Sequence, residues 1–191
     1  LYLNITNRCP NNCYFCLRNF RDGVEGFNLK LDREPRTDEI IRELQRVIGS
    51  RRWREVVFCG FGEPLERLDC LLEVARWVKG HYGSVVRVDT NGQGYLLNGG
   101  RDVVRELREA GVERLSVSLN AHNREVYNYV CRPTFENAFE SVLGFVERGA
   151  REIDTEVTVV TIPEVDISRV KEMATKMGVR LRLREYIPFL W

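Results

Sequence analysis

Arg114-Leu115-Ser116-Val117-Ser118-Leu119-Asn120 alternates polar and apolar side chains along its length. Successive side chains of a strand point to opposite faces, so Leu115, Val117 and Leu119 share one face and Ser116, Ser118 and Asn120 the other. Residues 2–6, 55–59, 84–90, 155–161 and 180–184 read as further strands. Amphipathic stretches at residues 37–48, 67–79, 101–110, 135–148 and 166–177 read as helices between them. Thr37-Asp38-Glu39 is a helix-start signal, and Gly111, Gly149 and Gly178 follow helix ends. Strands alternating with helices imply a parallel sheet covered by helices, an α/β fold of six βα units with its ligand groups at the C-terminal strand ends.

Parity assigns the interior of such a curved sheet. With the apolar face of residues 114–120 under the helices, Ser116, Ser118 and Asn120 point inward, and the same rule puts Arg87, Asp89, Glu156, Thr158, Arg180, Arg182 and Arg184 inside. Guanidinium groups there need partners, so pairing of Arg87 or Arg182 with Glu156 is expected. Any arginine left over suits an anionic ligand, Arg184 first because it lies nearest the strand mouth. The competing reading is that residues 180–184 form the sheet edge and the arginines guard it against unwanted pairing.

The chain has 191 residues, 43% of them hydrophobic, and is expected to form a single domain over residues 1–191. A net charge of +1 gives no bulk attraction to nucleic acid or anionic membrane. No apolar run is long enough to span a bilayer, and no signal peptide is evident, so a cytoplasmic location is expected. Leu1 already lies inside a strand-like run; residues before it and an extension after Trp191 are left open. Six cysteines without a compact disulfide spacing suit a reducing compartment, with Cys59, Cys70 and Cys131 as free thiols. Residues 23–35 are the longest irregular segment and are expected to form a lid.

Cys9-Pro10-Asn11-Asn12-Cys13-Tyr14-Phe15-Cys16 packs three thiols into eight residues. Three thiolates can hold an iron–sulfur cluster and leave one iron without a protein ligand. The offsets also match one helix face, which would make the cysteines core residues, but Pro10 and the Asn pair favour a turn. Structural zinc wants a fourth ligand, and the next candidates, Cys59 and His81, are distant in sequence.

Further polar motifs follow the other strands: Gly60-Phe61-Gly62-Glu63-Pro64, Asp89-Thr90-Asn91-Gly92 and Ser116-Val117-Ser118-Leu119-Asn120. In this order, together with the cysteine loop, they closely resemble the radical S-adenosylmethionine (SAM) superfamily. Residues 1–16, the turn 58–64, residues 116–121 and Cys131-Arg132-Pro133 are more narrowly similar to its TatD-associated members. The resemblance implies a partial (βα)6 TIM barrel of parallel strands. It implies that Cys9, Cys13 and Cys16 bind a 4Fe-4S cluster whose remaining iron chelates SAM. Reductive cleavage of SAM then yields a 5′-deoxyadenosyl radical that abstracts hydrogen from a substrate. It further implies that Gly60, Phe61, Gly62 and Glu63 hold the methionine amino group and that the backbone at Phe15 meets adenine. Ser118, Asn120 and Asn91 are expected at the ribose or carboxylate, Arg132 at the carboxylate, and a monovalent cation near Asp89. Arg184 and Arg182 are the expected substrate contacts. The implied partners are an anionic small-molecule or nucleotide-related substrate and an electron donor such as flavodoxin or ferredoxin. A glycyl-radical activase and a non-catalytic iron–sulfur electron carrier are the alternatives.

Overall fold

The computed structural model describes residues 1–24, 26–48 and 53–186. A six-stranded parallel sheet runs in chain order through β1 (Tyr2–Leu3), β4 (Glu55–Phe58), β5 (Val85–Thr90), β6 (Val112–Ser118), β7 (Asp154–Val160) and β8 (Arg180–Arg184). An antiparallel hairpin of β2 (Gly23–Val24) and β3 (Phe27–Asn28) stands apart from it. Parallel neighbours need crossovers, supplied by α1 (Thr37–Ile48), α2 (Leu68–Tyr82), the short α3 (Gly94–Leu97) with α4 (Val103–Glu109), α5 (Arg124–Cys131) with α6 (Ala138–Glu152), and α7 (Ile167–Lys176). This is the expected partial barrel of parallel strands; β1 and β8 are its two unpaired edges. No helix among the described residues is long and apolar enough to cross a membrane.

The apolar parity of the strands becomes the core. Val56, Phe58, Val86, Val88, Leu115, Val117, Val157 and Val159 are buried in one cluster with Leu71, Val74 and Val78 of α2, Leu107 of α4 and Val142 and Phe145 of α6. Each fully buried side chain of this size contributes about 1.5–3 kcal/mol. Asp102 and Asp166 cap α4 and α7 by accepting from Arg105 N and Arg169 N, so both helices begin a residue or two after the expected position.

The polar parity lines the concave face, and of the two pairings offered for Glu156 the one with Arg182 forms. Arg182 does meet Glu156, Nε to Oε1 at 2.9 Å, and also donates to Ser116 Oγ at 2.9 Å. Arg87 instead lies 3.3 Å from Glu55 and 2.9 Å from Asp89, because Glu55 is on the adjacent β4 whereas Glu156 is two strands away. Arg180 pairs with Asp154 at 3.0 Å. The side chains of Arg180 and Arg182 are 69% and 47% exposed, so they are not the buried guanidinium groups anticipated, and β8 is an edge of the sheet as the competing reading held. Exposed pairs of this kind stabilise by about 0.2–1 kcal/mol each, so they organise the face more than they hold the fold.

Three local expectations change. The first strand stops at Leu3, because Asn4 and Asn7 turn their amides to Leu29 O and Leu31 O and Thr6 bonds Glu34. The same bonds pin the 23–35 segment, which carries the β2–β3 hairpin and is a brace, not an irregular lid. The strand at 114–120 runs from Val112 to Ser118; Leu119 and Asn120 lie beyond it, Asn120 with a left-handed φ of 54°. Helix α5 was not anticipated; Asn123 caps it by accepting from Val126 N at 2.8 Å.

Tyr127 of α5 is fully buried, and its hydroxyl accepts from Asn11 Nδ2 at 3.2 Å and Gln93 Nε2 at 3.0 Å, tying the cysteine loop to the end of β5. Tyr127→Phe leaves these donors short of an acceptor and is expected to cost about 1–3 kcal/mol. Urea unfolding should show a lower midpoint at unchanged slope.

Candidate functional site

The cysteine loop follows β1 and contains no helix, so Cys9, Cys13 and Cys16 do not form a core helix face. All three are half-buried free thiols. Pro10 and the Asn pair shape the turn: Asn12 N donates to Cys131 O at 3.0 Å, Tyr14 N to Val130 O at 3.2 Å and Thr134 N to Pro10 O at 2.8 Å. Arg18, on the 3-10 turn Leu17–Asn19, donates to Asn7 O at 3.1 Å, Asn11 O at 2.9 Å and Cys16 Sγ at 3.4 Å. Asn91 Nδ2 approaches Cys9 Sγ at 3.7 Å, and the thiols of Cys13 and Cys131 are neighbours. Burial, with Glu63 adding to it, pushes the Cys9 thiol up to about 12. Such a group becomes a thiolate only when a metal takes up its charge. His81 is on α2, bonded to Trp77 O, and Cys59 lies against Asp89. Among the described residues no fourth Cys or His joins the three cysteines of the loop, the number that structural zinc wants. A four-iron cluster spreads its thiolates over separate irons and fits three donors on one loop, each sulfur beside a polar side chain.

The Gly60-Phe61-Gly62-Glu63 turn is built against this loop. A Cβ on Gly62 would sit 2.3 Å from Arg8 O and 2.6 Å from Thr6 O, and one on Gly60 would sit 2.5 Å from Asn4 Oδ1. Only glycine permits that approach, which lets Gly62 N bond Thr6 O at 3.0 Å and Glu63 N bond Arg8 O at 2.7 Å. Glu63 is 3% exposed, and its two oxygens accept from Leu65 N at 3.1 Å, Thr90 Oγ1 at 2.7 Å and Asn91 N at 2.6 Å. The carboxylate expected to face a ligand amine is thus chiefly a strut between the turn and the end of β5. Burial lifts its pKa to about 7 against the pull of those donors.

The other expected groups gather at the strand ends with unequal availability. Ser118 Oγ and the Phe15 peptide have no hydrogen-bond partner among the described residues. Asn120 is buried and spends its carbonyl on Val160 N at 3.1 Å, which leaves its amide free to donate. Asn91 accepts from Gln93 N at 2.9 Å and aims its amide at Cys9. Arg132, in the left-handed conformation at the end of α5, is exposed beside Cys13. Burial raises the Asp89 carboxyl, while Arg87, Arg182, the Cys59 thiol and Arg184 draw it back down. Arg184 itself makes no side-chain hydrogen bond or ion pair among the described residues, whereas Arg182 is spent on Glu156 and Ser116. Sequence reading missed Arg18, Gln93 and Tyr127; Arg18, two residues past the last cysteine, carried the one local signal.

Glu63→Ala strands three buried donors, and the folded state should lose on the order of 3 kcal/mol at about 1–3 kcal/mol per donor. The unmetallated protein should also lose stability as pH rises from about 4.5 to about 7. The folded carboxyl titrates near the upper value and the unfolded one near the lower, so the unfolded state binds fewer protons in between. Denaturant titration across this range should show the slope, and Glu63→Gln should flatten it.

The Radical SAM superfamily pattern matches residues 3–177. A probable GTP 3′,8-cyclase of Thermococcus kodakarensis is 30% identical over 189 residues, covering 97% of this chain and 56% of the relative. One from Methanococcus aeolicus is 26% identical, covering 98% of this chain and 59% of the relative. The chain therefore spans little more than half the length of these curated relatives. Among solved structures, SuiB of Streptococcus suis bound to S-adenosylmethionine superposes with a TM-score of 0.74 at 12% identity, over 98% of this chain and 40% of that one. Methylornithine synthase PylB gives 0.65 at 17% identity, over 98% and 53%. These structural likenesses speak for the fold alone, and the narrower TatD-associated likeness is not among them. With the superfamily pattern covering nearly the whole chain and the three-cysteine loop at the mouth of a parallel half-barrel, the chain belongs to the radical SAM superfamily of enzymes.

Proposed function

We propose that this chain is the SAM-cleaving core of a radical enzyme whose substrate is an anionic, nucleotide-like small molecule. Cys9, Cys13 and Cys16 would hold a 4Fe-4S cluster which, with SAM on its remaining iron, supplies a 5′-deoxyadenosyl radical. The chain's own groups orient and shield. The glycine turn braced by Glu63 presents the Phe61 backbone toward the methionine amine, the unpaired Phe15 peptide suits an adenine edge, and Ser118 and Asn120 have donors left for the ribose or carboxylate. Arg132 stands ready for a carboxylate. A flavodoxin- or ferredoxin-like one-electron donor in a reducing cytoplasm completes the assignment.

The observation that carries the substrate reading is Arg184, a guanidinium at the strand mouth that makes no side-chain hydrogen bond or ion pair among the described residues and has Asp89 as a more distant charged neighbour, beside the engaged Arg182. The relatives named as probable GTP 3′,8-cyclases support a nucleotide-like anion. A monovalent cation at Asp89 is not carried into the proposal, because Arg87 at 2.9 Å already offsets that charge. The TatD-associated likeness at residues 58–64 and 131–133 stays part of this reading without adding a reaction. A glycyl-radical activase remains the second reading, favoured by the open edges at β1 and β8 that would admit a protein loop. The non-catalytic carrier is set aside, since electron transfer needs no glycine turn of this kind.

Anaerobic reconstitution should give about four irons per chain if thiolate ligation is confined to this loop. The Cys9, Cys13, Cys16 triple alanine variant should carry no cluster; about eight irons, or a surviving cluster, would overturn the ligand set. Arg184→Lys keeps the charge but loses the planar fork and should weaken binding of a nucleoside triphosphate probe about tenfold, the value of roughly 1.4 kcal/mol. SAM binding and uncoupled formation of 5′-deoxyadenosine should change little. Loss of SAM binding would move Arg184 to the cofactor site.

A further inference from the structure

Each of the three cysteine sulfurs has a polar side chain beside it: Asn91 Nδ2 at 3.7 Å from Cys9, the Cys131 thiol near Cys13, and Arg18 Nε, two residues on in the loop, at 3.4 Å from Cys16. Two of these are neutral, and the third carries a full positive charge. Arg18 is half-buried, and its two terminal nitrogens are spent on Asn7 O and Asn11 O, the carbonyls that bracket Cys9. Among the described residues no carboxylate pairs with it, so the sulfurs are the negative groups closest to hand. The guanidinium fork fixes both the shape of the loop and the position of its own charge.

We propose that Arg18 is a positioning residue that sets the reduction potential of the cluster held by Cys9, Cys13 and Cys16. This rests on the ligand reading above and goes beyond it. Adding one electron to a cluster adds one negative charge, and a fixed cation within hydrogen-bond reach of a ligand sulfur favours that state more than the oxidised one. Hydrogen bonds to cluster sulfurs and local net charge are the protein's main controls over such potentials. Asn91 and Cys131 act in the same direction without a formal charge, and Arg132, the other cation near Cys13, is exposed and screened by solvent, so the half-buried Arg18 carries the largest share. Its removal makes the cluster harder to reduce.

The test is a redox titration followed by EPR on anaerobically reconstituted protein without SAM, comparing wild type, Arg18→Gln, Arg18→Lys and Asn19→Ala. Asn19 braces the same loop by donating to Cys13 O at 2.9 Å and Tyr14 O at 3.3 Å but has no contact with a cysteine sulfur. Arg18→Gln should lower the midpoint by at least tenfold in the ratio of reduced to oxidised cluster, ~59 mV for one electron. Arg18→Lys should fall between it and wild type, and Asn19→Ala should match wild type. Equal shifts in Arg18→Gln and Asn19→Ala would mean that loop slackness and not the guanidinium governs the potential, and would overturn the proposal. If Arg18→Gln holds no cluster, Arg18→Lys decides: a lowered midpoint supports the proposal and an unchanged one overturns it. If neither variant holds a cluster, Arg18 is a loop brace and nothing more. Failure of the wild type to assemble a cluster would instead sink the ligand reading on which this rests.

Discussion

A loop that carries three cysteines without regular structure cannot hold its own shape, and in this chain the buried carboxylate of Glu63 supplies much of the constraint. Its oxygens gather Leu65 N, Thr90 Oγ1 and Asn91 N, while its own N–H reaches Arg8 O just ahead of Cys9. One residue therefore joins the start of the cysteine loop, the turn after β4 and the end of β5. Gly62 makes this closure sterically feasible, since any side chain there would collide with the backbone at Thr6 and Arg8. A buried carboxylate is costly unless its lone pairs are filled, so the same bonds that offset part of that cost also fix the geometry.

A second tie closes the far side of the loop. Asn11, Gln93 and Tyr127 form a buried polar triangle that links the loop to β5 and α5, and the backbone at residues 12 and 14 bonds to the C-terminal end of α5. Helix α5 thus acts as a wall for the cysteines, not only as a crossover. On the concave face, Glu55, Asp89, Asp154 and Glu156 are matched by Arg87, Arg180 and Arg182. Arg184 at the mouth makes no direct side-chain hydrogen bond or ion pair among the described residues and feels only the more distant Asp89, which is why the substrate reading rests there and not on Arg182.

Much of the architecture was legible in the chain because it follows from periodicity. The period-two alternation at residues 114–120 gave the facing of β6, and the same parity placed the arginines of β8 on the concave side. The turn at Pro10-Asn11-Asn12 also read correctly, since turn chemistry is local. Harder to read were α5, whose start depends on a capping Asn in a polar stretch, and the 23–35 segment, ordered by side chains from residues 4–7. Which of Arg87 and Arg182 would meet Glu156 was left open because parity assigns a face but not a neighbour along the sheet; adjacency of β7 and β8 decides for Arg182.

The sequence by itself determined the strand and helix order, the inward set of polar residues and the grouping of three thiols with a glycine turn, because each is written in spacing over a few residues. Only the tertiary structure decided that Glu63 is a strut, that Arg182 is engaged while Arg184 is not, and that Arg18, Asn91 and Cys131 face the three sulfurs. Apart from Arg18, which sits two residues from Cys16, these are contacts between groups tens of residues apart in the chain, whose pairing depends on how sheet curvature and loop closure bring them together. Local pattern can say which residues are able to make such bonds; competition for partners in the folded state says which of them do.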